Sequence, residues 1–102
     1  MEKRWAKRRS VQISVNVRYR DMEIVNCLTR DVGLNGAFVE VKQIQPVINA
    51  PVDLLFRMGD DSRLTKYKVQ GKVARTAGDG IGVVFNEQGI SSFRTLREVL
   101  YS

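Results

Sequence analysis

Alternation constrains this chain more than any other feature. Between residues 11 and 20, Val11, Ile13, Val15, Val17 and Tyr19 share one face of an extended chain, and Gln12, Ser14, Asn16, Arg18 and Arg20 share the other. A two-residue period with β-branched residues on its apolar side predicts a half-buried strand. A second strand follows in MEIVNCLTRDVG, where the alternation is imperfect and the inward face stays open. A tight connection over Tyr19–Glu23 would join the two as a hairpin. The segment DVGLNG reads as a structured loop, because Gly33, Asn35 and Gly36 tolerate positive φ. AFVEVK is a third strand, with Phe38 and Glu40 on one face and Val39 and Val41 on the other.

Pro46 and Pro51 bracket an irregular connection, since proline cannot donate to a ladder. VDLLFRM is a fourth strand, closed by the turn GDDS. LTKYKVQGKVARTA is a long fifth, with Leu64, Tyr67, Val69, Gly71 and Val73 in alternation, and Gly71 predicts a bulge or bend. The turn GDG at residues 78–80 leads into a short last strand, IGVVF. The period then changes. Ile90, Phe93, Leu96, Leu100 and Tyr101 follow helical spacing, which predicts one amphipathic helix of about three turns. Ser91 or Ser92 can cap it. Phe38, Phe56, Tyr67 and Phe85 are expected in the core, with Cys27 as a small buried hydrophobe.

These elements describe an all-β fold, a small six-stranded antiparallel β-barrel with a C-terminal α-helix across one end. The division is a basic arm over residues 1–10 and one barrel domain over 11–102, a length that suits a single core of roughly 100 residues. If part of the helix face stayed exposed, it would be a surface for a second copy or a partner.

The missing residues exclude much chemistry. Histidine is absent, which removes Ser-His-Asp and Cys-His catalysis and imidazole-ligated metals. Cys27 is the only cysteine, so it forms no intrachain disulfide and no zinc site. Asp53, Asp60, Asp61 and Asp79 fall at turns or strand ends, not in a metal-ligating pattern. With no nucleophile beside a base, the chain is not expected to be an enzyme and carries no cofactor. No stretch reaches the roughly 18 apolar residues of a transmembrane helix. The charged start lacks the apolar core of a signal peptide. The expectation is a cytoplasmic protein.

Charge is distributed unevenly. Lys and Arg number 17 against 11 acids, and seven of the bases lie in the first twenty residues beside a single acid, Glu2. The rest is balanced. Lys3, Arg4, Lys7, Arg8 and Arg9 form a dense positive field around one aromatic residue, Trp5. Such an arm is either a solvated tail or an anion-binding segment for a nucleotide, a nucleic acid or an anionic membrane surface. A nucleic-acid-binding barrel would spread bases and aromatics over a strand face, so the neutral body argues against it.

The arm, the first strand, the Asp31–Gly36 turn and the stretch GKVARTAGDGIGVVF together resemble the PilZ domain family. The last matches a G-x-V-x-R … G-I-G-V-x-F pair of closing strands at Gly71, Val73, Arg75, Gly80, Ile81, Gly82, Val83 and Phe85. The resemblance implies a six-stranded barrel with a C-terminal helix that binds cyclic di-GMP, a bacterial second messenger. It places the ligand on two motifs. In R-x-x-x-R, Arg8 holds the first position, Gln12 stands at the second, and Arg9 is adjacent. In [D/N]-x-S-x-x-G, Asp31 and Gly36 match, and Gly33 replaces the serine. Arg4, Lys7 and Trp5 are accessory candidates.

On this resemblance Arg8 and Arg9 would take phosphate or guanine, Asp31 a guanine edge, and the arm would order on the ligand. Losing one arginine contact and one hydroxyl contact costs about 2–4 kcal/mol, or about 30- to 1000-fold in affinity. The alternative is a degenerate domain that has lost the ligand and serves as a protein-interaction adaptor. In either case the downstream protein partner is unknown.

Overall fold

The computed structural model describes residues 12–42, 45–59 and 62–100, with the side chains of residues 99 and 100 set aside. Six strands, β1 (Ser14–Tyr19), β2 (Met22–Val32), β3 (Gly36–Glu40), β4 (Pro51–Met58), β5 (Thr65–Ala77) and β6 (Gly80–Phe85), precede one helix, α1 (Glu87–Leu100). The strands close into a barrel in the order β1-β2-β3-β6-β5-β4, and every adjacent pair is antiparallel. The all-β barrel with a C-terminal helix is therefore as expected.

The alternating residues of β1 do what their period requires. Val15, Val17 and Tyr19 are buried in the interior with Val52, Leu54, Phe56, Val69, Val73, Ile81 and Val83. Arg18 and Arg20 point outward and are exposed. Between β1 and β2 the chain turns on Arg20, which adopts φ 57°.

β2 explains its own broken pattern. Val17 pairs with Ile24 and Val15 with Cys27, so Val25 and Asn26 together face Asn16. That extra residue is a bulge, and Asn26 takes the left-handed conformation (φ 61°) that asparagine tolerates. A second bulge follows, where Thr29 pairs with Val39 and Asp31 with Phe38, leaving Arg30 as the surplus residue. Each bulge shifts the in–out phase by one. The buried positions are therefore Ile24, then Cys27 and Thr29, then Val32.

Five expectations need correction. Gly71 pairs regularly with Phe85, and the β5 bulge falls between Val73 and Arg75. Gly71 is glycine because a Cβ there would lie 2.6 Å from the Val84 carbonyl oxygen. The helix is longer than expected, fourteen residues, and starts at Glu87. Its cap is Asn86, whose side-chain oxygen accepts the Gly89 N–H at 2.7 Å, not Ser91 or Ser92. Phe38 is buried but is not part of the interior cluster; its ring lies on the outer side of β3. Leu64, placed in the fifth alternation, is exposed and precedes β5.

The helix faces the barrel with Ile90, Phe93 and Leu96. Phe93 is fully buried, with its ring 5.4 Å from Phe85 and 6.2 Å from Phe56. Burying one such side chain contributes about 1.5–3 kcal/mol. Tyr101 and the side chain of Leu100 lie outside the described residues. No described helix is long and apolar enough to cross a membrane.

Candidate ligand-binding site

The arm residues Arg4, Trp5, Lys7, Arg8 and Arg9 lie outside the described residues. What can be placed is the point where the arm joins the barrel. Ile13 is locked to β2 at Thr29 from both sides: its N–H donates to the Thr29 hydroxyl at 2.8 Å, and its carbonyl accepts the Thr29 N–H at 3.0 Å. Thr29 is fully buried, so these bonds are shielded from water. Exposed Gln12 directly precedes Ile13, and Arg30 and Asp31 directly follow Thr29. The fold therefore brings Gln12 and Asp31 to one region.

The turn after β2 is tightly closed. The Gly33 N–H donates to the Gly36 carbonyl at 2.8 Å, and the Asn35 carbonyl accepts the Phe85 N–H at 2.8 Å. Gly33 and Gly36 are buried, and Asp31 is half-buried. One expectation changes here. Positive φ among the described glycines is confined to Gly59, so this turn does not use glycine for left-handed backbone. The Gly33 N–H is also committed within the turn and is not presented to a ligand.

The second bulge makes the region distinctive. Buried Thr29 and Val32 flank Arg30 and Asp31, so both intervening side chains lie toward the outer surface. The Arg30 guanidinium sits 4.4 Å from the ring centroid of Phe38, the residue paired with Asp31. The Arg75 guanidinium approaches the same ring at 5.3 Å. Arg30 Nε and Nη2 each donate to Glu40 Oε2 at 3.3 Å, and Nη2 also donates to Asp79 Oδ2. Asp79 is held within reach because the Val41 N–H donates to its backbone carbonyl at 3.1 Å.

The hydrogen bond with Asp79 raises the Arg30 pKa further and lowers that of the Asp79 carboxyl. The closing-strand glycines belong to this cluster. A Cβ at Gly80 would meet the Phe38 ring, and one at Gly82 would meet the Arg75 side chain.

Arg30 and Phe38 were not singled out from the sequence as site residues. The available signal was the failure of alternation in MEIVNCLTRDVG, where two adjacent polar residues sit between inward positions. On the barrel's other side, Glu23 accepts from Asn16 Nδ2 at 2.8 Å, and this bond holds its carboxyl below the usual range, with Lys66 and Arg18 adding smaller contributions. Cys27 is buried and its thiol pKa is raised by desolvation, in keeping with a small hydrophobe. No group of three or more metal-ligating residues occurs among the described residues.

A groove of about 260 Å³ runs beside the cluster, lined by residues 24–28 with Glu40 and Lys42. None of Asp31, Gly33 and Gly36 lines it. The turn remains the better candidate, because it holds half-buried Asp31 close in the chain to the Ile13–Thr29 bonds, whereas the groove follows a strand surface with exposed Val25 and Leu28.

A closed six-stranded antiparallel barrel with one C-terminal helix packed on it and a tight Asp–Gly turn after β2 defines a class of small single-core domains. The chain belongs to the PilZ domain family, whose family model matches residues 2–102. Eleven solved protein chains match it. One is the crystal structure of the PilZ domain of CeSA from a cellulose-synthesizing bacterium, with TM-score 0.66 and 22% identity over 94% of this chain and 99% of that one. No curated protein matches.

Proposed function

We propose that this domain is a non-catalytic receptor for cyclic di-GMP, binding it between the arm and the Asp31–Gly36 turn. The observation that carries this reading is the Ile13–Thr29 double hydrogen bond. It fixes Ile13, one residue after Gln12, to Thr29, two residues before Asp31, which supports the reading that the two half-motifs act on one ligand. Arg8 and Arg9 take phosphate or guanine through charged, bidentate bonds. Asp31 accepts from a guanine N–H edge. Gln12 offers a neutral contact, and Gly33 gives close approach without a hydroxyl. Arg4, Lys7 and Trp5 add charge and an aromatic face.

Calorimetric titration of cyclic di-GMP into the domain tests the reading. Binding is expected and should weaken about 10- to 100-fold in Arg8→Ala, the worth of one charged contact. No heat at about 100 µM ligand, a level chosen for weak binding, would overturn it. The second reading, an adaptor without ligand, is favoured by one observation, the coincidence of Gln12 and Gly33 at the two motif positions. In that case the double variant Gln12→Arg, Gly33→Ser gains binding that the parent lacks.

A further inference from the structure

We infer that Arg30 is a base-stacking residue of this site, a flat cationic platform on which one guanine of the ligand lies. The inference deepens the receptor reading and rests on it. Four observations carry it. The bulge turns Arg30 outward together with Asp31. The guanidinium lies over Phe38, the cross-strand partner of Asp31, so one of its faces is backed by an aromatic ring and its side chain is 43% exposed. Glu40 and Asp79 fix its plane from two other segments of the chain. Gln12, the uncharged residue at the second motif position, precedes Ile13, whose bonds to Thr29 lie next to Arg30 in the chain.

Charge decides what Arg30 can do. Two carboxylates already neutralise it, so it is a poor counter-ion for a phosphate. Its plane is a different matter. Guanidinium planes stack on bases, and the Phe38 ring, Glu40 and Asp79 hold this one in place before a ligand arrives. The guanine edge is then within reach of Asp31, the next residue, while Nη1, which donates to none of the described residues, can reach an acceptor on the ligand. A lysine would keep the charge and lose the plane.

Titration of cyclic di-GMP into wild type, Arg30→Ala and Arg30→Lys tests this, together with the Arg30 Nε–Hε resonance of the wild-type domain. Wild type is expected to bind, and both variants to lose about 5- to 150-fold in affinity, the range for one stacked base. The Nε–Hε resonance should move on saturation through the ring current of the base. Wild-type binding with both variants within about twofold of it overturns the stacking role and leaves the receptor reading standing. Full affinity in Arg30→Lys alone makes the contact one of charge and also overturns it. A stationary resonance at saturation overturns it without recourse to any variant. No wild-type binding overturns the receptor reading and this inference with it.

Discussion

A methyl group added at Gly80 would lie 2.3 Å from the Val39 carbonyl oxygen and 2.6 Å from the Phe38 ring. Backbone stands in the way, so the strand must move. Gly80→Ala is expected to destabilise the domain by about 1–3 kcal/mol, the usual range for overpacking. At Gly82 the same methyl meets only the Arg75 side chain, whose Cγ is 2.9 Å away and can rotate aside. Gly82→Ala is expected to cost clearly less. Urea denaturation of both variants checks the contrast, and equal losses would contradict it. The two glycines are plain in the sequence, as is the G-I-G pattern they form. Their separate reasons are not, because which side chain lies over each glycine is a matter of cross-strand register.

At the scale of elements, strand positions were legible wherever period two ran uninterrupted, as in β1. They were less so in β2, because two bulges reverse the phase twice within eleven residues and local pattern cannot tell a bulge from noise. Arg30 was hidden for the same reason. The helix start was missed because the first apolar residue in helical spacing is Ile90, three residues after Glu87. In the fold a Cβ at Gly89 would fall 1.9 Å from the Gln70 carbonyl oxygen, so the helix needs glycine there to pack on β5. The cap makes a separate prediction. Asn86→Ala removes the acceptor of the Gly89 N–H and should cost about 0.5–2 kcal/mol. Urea denaturation of the variant reads this directly, and Ser92→Ala should leave the midpoint near wild type.

For the whole molecule, acid is the sensitive direction. The Asp79 carboxyl is depressed chiefly by its hydrogen bond with Arg30, and the Glu23 carboxyl by its bond with Asn16. A carboxylate whose folded pKa lies below its unfolded value stabilises the fold fully above the unfolded pKa, and that contribution is lost as pH falls through the folded one. Melting temperature should therefore hold steady down to about pH 5 and fall below about pH 4, near the ordinary carboxylate values. The double variant Glu23→Gln, Asp79→Asn should show a shallower fall when melting is followed by circular dichroism.

Closure of the barrel has a consequence for how other proteins can engage the domain. Each of the six strands already has a neighbour on both sides. Among the described residues no strand is unpaired along a whole side, so an extended peptide adding itself as a strand, the mode that supplies main-chain affinity in many adaptor domains, is limited to stretches such as the start of β2 that β3 does not reach. On the described barrel, a downstream protein would recognise mainly side chains, on the outward faces of the strands or on the solvent side of the helix. Its specificity is then written in residues that can change without disturbing a single rung of the barrel.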